Sequence, residues 1–340
     1  MRSFGSDNNS GVHPLIFKAL EEANVDHAIG YGDDKWTEAA TAKIKEVFGA
    51  SADPYFLFNG TGANSVAIQS VTRPFNSIIC ATSAHIYVDE CGAPQKMSGC
   101  AIVAIPTVDG KLSTELIEPY LNNFGVCHHS QPGVVYISQT TELGTVYTIE
   151  EIRAIADLVH SYGMYLHMDG ARLANAAAFL GCSFKEMTVD AGVDVLSFGG
   201  TKNGMMIGES VISFKEEISL NMQYYRKQSA QLASKLRYLS AQFIPYLEND
   251  LWLENATAAN NAAAKLYNSL KKYPSVEFTQ KPETNQLFLK MPKEAIDKLL
   301  EDYFFYTWNE QNNEVRFVTS WDTTDKDISD LISSFEKVLG

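Results

Sequence analysis

Seven short apolar runs, separated by segments with helical spacing, mark the chain between residues 55 and 214. Each run has four to six residues, which is the usual length of a buried strand. The runs are YFLF (55–58), SIICA (77–81), AIVAI (101–105), VVYI (134–137), MYLHM (164–168), VDVLSF (193–198) and SVISF (210–214). Strands that alternate with helices predict an α/β fold, in which a mainly parallel seven-stranded sheet lies between helices.

One of the intervening helices has a clear beginning. Thr148 and Glu151 have the spacing of a capping box, in which each side chain binds the backbone N–H of the other residue. The apolar residues that follow fall on one helical face: Ile152, Ile155, Leu158 and Val159. We therefore expect a helix that starts just after Thr148 and packs on the sheet.

The pattern changes after residue 214. Two longer helical patterns cover residues 215–243 and 255–273, and strand-like QLFLK (286–290) and VRFV (315–318) come next. An amphipathic segment, DKDISDLISSFEKVL, then ends the chain. This change predicts a large domain over residues 1–245 and a smaller C-terminal α+β domain over residues 246–340.

Composition and charge narrow the range of functions. The chain has 340 residues, of which 45% are hydrophobic and 20% charged, as in a folded protein. Its formal net charge of −14 argues against nucleic acid or an anionic membrane as a partner. No segment approaches the roughly 20 apolar residues that span a bilayer.

The cysteines and the N-terminus favour a cytoplasmic location. The five cysteines are odd in number and form no CxxC pair, so that neither a disulfide framework nor a metal site is expected. The first residues, MRSFGSDNNSGVHP, contain no apolar stretch of the kind found in a signal peptide.

Three polar clusters follow predicted strands: NGTGAN (59–64), DGAR (169–172) and SFGGTKNG (197–204). Ligands of open α/β sheets bind outside the carboxyl ends of the strands, where these clusters should meet. The first cluster resembles an anion cradle at a helix N-terminus, and no GK[ST] follows it, which disfavours ATP chemistry. The ordinary alternative for each is a turn, a helix cap or a solvated lysine.

Together the three clusters supply what pyridoxal phosphate requires. Its phosphate would lie on the helix terminus after residue 59, and the Asp169 carboxylate would keep its pyridine nitrogen protonated. The amine of Lys202 would form a Schiff base with its aldehyde. A cofactor-binding lysine therefore explains this residue better than a solvated charge does.

The residues around these clusters resemble the threonine aldolases, pyridoxal-phosphate enzymes of the aspartate-aminotransferase fold type. The similarity runs through nearly the whole chain. The matching segments are SFGSDN (3–8), YGDD (31–34), NGTGAN (59–64), SAHIY (83–87), HMDGAR (167–172), GGTKNG (199–204) and EVRFVTSW (314–321).

The resemblance implies a role for each residue in those segments. Lys202 and Asp169 would be the catalytic lysine and the partner of the pyridine nitrogen. Further contacts to the cofactor would come from Gly60, Thr61, Gly62, Asn64, His85, Arg172 and Thr201. The substrate would be held by Ser6, Tyr31, Arg172 and Arg316. The second catalytic histidine, near the substrate hydroxyl, would be His128, although the adjacent His129 leaves the register open.

Two positions depart from the usual threonine aldolase pattern. Asn8 stands where a threonine is usual, and QSAQLASK (228–235) replaces a glycine-rich stretch. The second departure bears on contacts with a neighbouring subunit.

The resemblance implies cleavage of L-threonine, L-allo-threonine or related β-hydroxy amino acids to glycine and an aldehyde, in a homodimer or homotetramer with the site at the subunit interface. The base at the hydroxyl would be His85, His128 or a water molecule that they orient. Other enzymes of this fold remain an alternative, such as a β-eliminating lyase or an amino-acid racemase. A non-catalytic binding protein that keeps the fold is disfavoured, because both Lys202 and Asp169 are present.

Overall fold

Two β-sheets organise the chain, which the computed structural model describes from residue 2 to residue 339. The larger sheet has seven strands in the order β1-β7-β6-β5-β4-β2-β3. Its strands are β1 (Asp53–Leu57), β2 (Asn76–Ala81), β3 (Ala101–Ile105), β4 (Gln131–Ser138), β5 (Tyr165–Gly170), β6 (Val195–Gly199) and β7 (Glu209–Ser213). Each of the seven apolar runs forms one of these strands, so the predicted α/β fold with a seven-stranded sheet is confirmed.

The helices cover both faces of this sheet and continue into the C-terminal part of the chain. They are α1 (Pro14–Ala23), α2 (Lys35–Phe48), α3 (Gly60–Val71), α4 (His85–Val88), α5 (Ala93–Ser98), α6 (Thr114–Ile117), α7 (Ile149–Ser161), α8 (Leu173–Leu180), α9 (Phe184–Met187), α10 (Glu216–Gln228), α11 (Arg237–Ser240), α12 (Phe243–Leu247), α13 (Leu251–Leu270), α14 (Lys293–Asp302) and α15 (Asp325–Leu339). Within residues 2–339, none of them combines the length and the apolar character needed to cross a bilayer.

The buried strands explain why the runs are apolar throughout rather than alternating. In β4, Val135 and Ile137 pack into the core that contains α7, whereas Val134 and Tyr136 pack into the core that contains α3. Successive side chains of a strand point to opposite faces, so a sheet covered on both faces needs apolar residues at both. The edge strand β3 is the exception, since most of its side chains are partly exposed.

The direction of the strands gathers the polar clusters at one edge. Strands β2 to β6 are parallel, and only β7 runs against both of its neighbours, β1 and β6. The carboxyl ends of β1, β2, β4, β5 and β6 therefore lie at the same edge as the amino end of β7. This edge carries NGTGAN, DGAR and the lysine turn.

The second sheet belongs to the C-terminal part of the chain. Its order is β10-β11-β9-β8, and all its pairings are antiparallel. Its strands are β8 (Glu277–Phe278), β9 (Gln286–Lys290), β10 (Tyr306–Asn309) and β11 (Glu314–Val318). Helices α14 and α15 pack on it in a separate apolar core, which also takes in Phe4 from the N-terminal segment. The division of the chain near residue 246 stays a prediction.

The helical pattern over residues 215–243 is broken in the structure. Helix α10 ends at Gln228, and Ala230 adopts a positive φ of 58°. The side-chain Oε1 of Gln231 accepts the backbone N–H of Phe58 at 3.1 Å, and the carbonyl of Ser234 accepts the N–H of Tyr31 at 2.9 Å. Bonds to distant backbone groups thus replace helical bonds that the local sequence would favour.

The cap of α7 gives a direct test of the local prediction. Oγ1 of Thr148 accepts the N–H of Glu151 at 3.2 Å, and the Glu151 carboxylate accepts the N–H of Thr148 at 2.7 Å. We expect Thr148→Ala to destabilise the helix start by about 1 kcal/mol, measured as faster amide exchange in the first turn of α7. Thr148→Ser keeps the hydroxyl and serves as the control; equal exchange rates in the two variants would show that the cap contributes nothing.

Candidate active site

The cavity at the carboxyl edge of the large sheet contains most of the predicted residues. It consists of two adjoining pockets that share Gly60, His85 and Lys202 in their walls. The predicted residues that line one or both pockets are Gly60, Thr61, Asn64, His85, Asp169, Arg172, Thr201 and Lys202. Four strands, β1, β2, β5 and β6, and the segments that follow them supply these residues.

Lys202 is held in the cavity by a short 3-10 turn after β6. The neighbouring Asn203 fixes this turn, because its amide donates to the carbonyl of Trp252 at 2.9 Å and its carbonyl accepts from Asn255 at 2.9 Å. Burial, followed by the charge of Arg172, lowers the pKa of Lys202. The side chain faces the cavity without a hydrogen bond to any residue of 2–339. A lysine in this state is a nucleophilic amine.

Asp169 lies at the end of β5, opposite Ser138 of β4 and Ser197 of β6. Its Oδ2 accepts the hydroxyl of Tyr136 at 2.7 Å and the amide of Asn64 at 2.8 Å. Burial would raise the pKa of Asp169, but these hydrogen bonds and the nearby cations outweigh it and lower the pKa. The carboxylate is therefore buried and anionic, as a partner for a protonated ring nitrogen must be.

His85 follows β2 and belongs to the same hydrogen-bonded network. Its Nδ1 lies 2.7 Å from Oε1 of Glu90, an atom that also accepts the amide of Asn64 at 2.7 Å. The hydrogen bond to Glu90 raises the pKa of His85, with burial acting in the opposite direction. Glu90, whose side chain is fully buried, was not identified from the sequence.

The glycine-rich turn before α3 offers two backbone donors rather than three. Asn59 caps the helix, and its Oδ1 accepts the N–H of Gly62 at 2.8 Å. The N–H groups of Gly60 and Thr61 have no acceptor among residues 2–339. A Cβ at Gly62 would lie 2.3 Å from Cδ of Gln231, whereas a Cβ at Gly60 would meet open space. A side chain at Gly62 would therefore displace the end of Gln231, and Gly60 and Thr61 are the groups open to an anion.

Two guanidinium groups approach each other beside the N-terminal segment. Nε and Nη2 of Arg172 donate to the Asp7 carboxylate at 2.7 and 2.9 Å. Arg316 donates to the carbonyl of Gly5 at 3.1 Å, and its Nε is buried without a hydrogen-bond partner in the described chain. Burial and the charge of Arg172 lower the pKa of Arg316 to about 10. Two guanidinium groups therefore lie near a single carboxylate, that of Asp7. The excess positive charge favours the binding of a second anion.

Ser6 is the residue between these two contacts, since Gly5 binds Arg316 and Asp7 binds Arg172. Its hydroxyl caps a 3-10 turn by accepting the N–H of Asn8 at 3.2 Å. Asn8, which departs from the usual threonine, lines the cavity.

Tyr31 and His128 are not brought to the cavity within one chain. Tyr31 is 56% exposed and lies with its ring 5.3 Å from Nζ of Lys227. His128 is exposed in the loop before Gln131, at the amino edge of the sheet. Because β4 has eight residues that each rise about 3.3 Å, roughly 25 Å separates this loop from the carboxyl edge. The structure therefore does not bring His128 to the place that the sequence prediction gave it.

Two further carboxylates line the cavity that sequence analysis did not identify. Glu142 comes four residues after Ser138, the last residue of β4, and Glu209 is the first residue of β7. Burial raises the pKa of Glu142, and it raises the pKa of Glu209 to about 7. The rule that ligands bind at strand ends could have identified Glu142, whereas Glu209 reaches this edge only because β7 is reversed.

Known proteins resemble this chain along its whole length. Residues 3–294 match the model of the family described as beta-eliminating lyase. A low specificity L-threonine aldolase from Pseudomonas sp. (strain NCIMB 10558) is 40% identical over 99% of this chain and 98% of its own length. The low specificity L-threonine aldolase of Pseudomonas aeruginosa is also 40% identical, over 100% of this chain and 98% of its own.

A solved structure agrees with these relatives. The threonine aldolase of Leishmania major superposes with a TM-score of 0.95 at 30% identity, and the match covers 100% of both chains. The seven-stranded sheet and the smaller C-terminal sheet thus belong to a fold already known. The chain belongs to the beta-eliminating lyase family, among the low-specificity L-threonine aldolases.

Proposed function

We propose that this protein is a pyridoxal-phosphate-dependent aldolase that cleaves L-threonine, L-allo-threonine or related β-hydroxy amino acids to glycine and an aldehyde. The observation that carries the proposal is the shared cavity of Lys202 and Asp169. A buried amine with a lowered pKa and a buried carboxylate that stays anionic face the same space. The similarity to enzymes named low specificity L-threonine aldolase supports the choice of reaction.

The residues of the cavity fit pyridoxal phosphate. The free N–H groups of Gly60 and Thr61 suit its phosphate, and Thr201 lines the same pocket. Oδ1 of Asn64 is buried without a partner in the described chain, so the cavity wall has hydrogen-bonding capacity left for a ligand. Asp169 would hold the ring nitrogen, and Lys202 the aldehyde carbon. When bound, the cofactor would accept the electron pair left on Cα as the Cα–Cβ bond breaks.

Arg172 and Arg316 would hold the carboxylate of the amino acid. Arg172 uses Nε and Nη2 for Asp7, which leaves Nη1 for a second anion, and Arg316 has its buried Nε unpaired. Paired guanidinium groups bind a carboxylate through parallel hydrogen bonds and so orient the bond that is to break. Ser6 lies beside both groups and would contact the same carboxylate.

His85 would face the ring of the cofactor and the substrate hydroxyl, with Glu90 holding its imidazole in place. The same lysine and carboxylate could serve β-elimination or racemisation. The products separate these reactions, because cleavage gives glycine and acetaldehyde from L-threonine, whereas elimination gives ammonia and a keto acid.

We also propose a homodimer or homotetramer in the cytoplasm, with small amino acids as the only partners. Met206 and Ile207 line the cavity and are each 41% exposed, so a second copy could cover them. The exposed Tyr31 would then be available to a neighbouring chain. The five cysteines form no disulfide, which suits a reducing compartment.

Replacing the lysine tests the whole proposal. Lys202→Ala should abolish the release of acetaldehyde from L-threonine and the visible absorbance of bound pyridoxal phosphate, because no second lysine of residues 2–339 lines the cavity. The exposed Lys185, which pairs with Asp190, provides the control Lys185→Ala. Cofactor absorbance that survives in Lys202→Ala would mean that another lysine holds the cofactor.

Replacing Asp169 tests whether its carboxylate helps the cofactor to accept the electron pair from Cα. Asp169→Asn should still bind pyridoxal phosphate but lose kcat by more than about 100-fold, since a neutral amide stabilises a protonated ring nitrogen poorly. Steady-state kinetics and the cofactor spectrum measure the two effects separately. Asp190→Asn, at an exposed position, is the control; a kcat of Asp169→Asn close to that of the control would contradict the assigned role.

Arg316→Lys tests whether the C-terminal part of the chain binds substrate. An ammonium group cannot form the two parallel bonds of a guanidinium, so KM for L-threonine should rise while pyridoxal phosphate binding is retained. Losing a partner of a buried charge costs about 2–5 kcal/mol in interfaces, and lysine should recover part of that.

Glycine provides the matched ligand for this variant. It has the same carboxylate without the β-hydroxyl, so Arg316→Lys should weaken glycine and threonine alike. Unchanged affinity for both would leave Arg172 as the only carboxylate-binding arginine.

A further inference from the structure

Four side chains could accept a proton from the substrate hydroxyl, and three of them line the cavity. His128 lies at the opposite edge of the sheet. His85 is bonded through Nδ1 to Glu90, and under the proposed function its ring faces that of the cofactor. The remaining candidates are the carboxylates Glu142 and Glu209.

The geometry points to Glu142 as the catalytic base that removes the proton from the β-hydroxyl, a role that rests on the proposed aldolase function. Glu142 shares its pocket with Lys202 and Asp169, which would hold the cofactor, and with Arg172, which would hold the carboxylate of the amino acid. It is half-buried and lies directly against His85, whose backbone N–H donates to it at 2.7 Å.

One oxygen of this carboxylate is fixed and the other is free. Oε1 accepts both the N–H of His85 at 2.7 Å and the hydroxyl of Ser138 at 2.6 Å. Oε2 accepts no hydrogen bond from any other residue of 2–339, and it is not fully buried. It is therefore open to the pocket while Oε1 holds the group in position, which is the arrangement that a positioned base needs.

The charges around Glu142 suit this role. Around it lie the carboxylates Asp169 on β5 and Glu90 after α4, the basic groups Lys202 and His85, and the side chains of Cys80, Tyr136 and Tyr147. Burial raises the pKa of Glu142, and Asp169 adds to this effect against the hydrogen bonds from Ser138, from the N–H of His85 and from its own N–H. A carboxylate with a raised pKa accepts a proton more readily than one in water.

Glu209 lines both pockets, including the one that contains Glu142. It pairs in register with Leu57 of β1 and Gly199 of β6, so it lies beside the glycine turn and the base of Lys202. A Cβ at Gly199 would lie 1.8 Å from its Oε2, which places the carboxylate against the lysine turn. Glu209 is therefore the comparison residue for Glu142.

Proton transfer and bond cleavage involve only the substrate, the Glu142 carboxylate and solvent. The hydroxyl proton of threonine passes to Oε2, and the O–H electron pair becomes the second C–O bond of acetaldehyde. The Cα–Cβ bond breaks and leaves its electron pair on Cα. Glu142 gives its proton to water once the aldehyde leaves, and Cα takes a proton from solvent to complete glycine.

Glu142→Gln tests the inference because glutamine keeps an oxygen for His85 and Ser138 but accepts no proton. We expect kcat for L-threonine to fall by about 100-fold or more. Glycine lacks the hydroxyl, so its affinity in a thermal-shift titration and the exchange of its Cα proton in D₂O should stay within about threefold of wild type. A residue that only supports the fold would change both substrates together, and such a result would overturn the role.

Two matched variants complete the experiment. Glu283→Gln replaces a carboxylate outside the cavity that likewise accepts a backbone N–H, that of Val146 at 2.7 Å, and should have no effect on either substrate. Glu209→Gln tests the competing carboxylate: a selective loss of threonine cleavage there, with Glu142→Gln unaffected, would overturn the assignment.

Glu142→Asp keeps the proposal testable if the glutamine variant does not fold. Aspartate retains the carboxylate on a shorter side chain, so it should keep glycine binding and lose part of kcat for threonine. Full activity in Glu142→Asp would overturn the requirement for a positioned oxygen. Wild-type enzyme that releases no aldehyde would overturn the proposed function and this role together, whereas wild-type cleavage with full activity in Glu142→Gln would overturn this role alone.

Discussion

The buried ion pair between Asp7 and Arg172 holds the parts of the active site together. Asp7 is fully buried, and it also accepts the amide of Asn285 at 3.1 Å. The same N-terminal segment is tied to the small sheet, because Phe4 donates to the carbonyl of Phe304 and accepts from Val318, both at 2.7 Å. A charge buried without a partner is strongly destabilising, so this pair fixes the arginine, the N-terminal segment and the small sheet in one arrangement.

The cavity separates its titratable groups into those that stay charged and those whose charge is easily lost. Two hydrogen bonds keep Asp169 anionic, and the bond to Glu90 favours the charged form of His85. Burial acts in the other direction on Lys202 and on Glu209, lowering the pKa of the first and raising that of the second to about 7. Environments that push neighbouring pKa values apart are what acid–base chemistry near neutral pH requires.

The sequence allowed the large sheet and the centre of the site to be predicted for a physical reason. Strands buried on both faces must be apolar throughout, and the polar groups that end them must face a ligand or solvent, so Asp169 and Lys202 could be found from their positions alone. Because the residues around Lys202 have small side chains, the turn after β6 fits within the core. The surroundings of these residues depend instead on distant contacts: Glu90 reaches the site through Asn64, and Asp7 through Arg172.

Two expectations differ from the arrangement within one chain for the same reason. His128 was placed by similarity in a loop whose register no local pattern fixes, and the fold puts that loop at the amino edge of the sheet. The helix expected across residues 229–236 loses to the hydrogen bonds of Gln231 and Ser234 with distant backbone. Propensity and periodicity describe near neighbours, so they cannot anticipate a bond between residues 31 and 234.

Helix α13 has a consequence for how the molecule folds. Leu251, Trp252 and Ala256, near its start, lie in the core of the large sheet, whereas Leu266 and Leu270, near its end, lie in the core of the small one. A helix of 20 residues spans about 30 Å, enough to serve both cores as one rigid rod. If either core unfolds, the part of α13 that it covers becomes exposed to solvent. The other core then loses support for the helix on which it packs. The two halves therefore share a single cooperative unit, whichever residue is chosen to divide them.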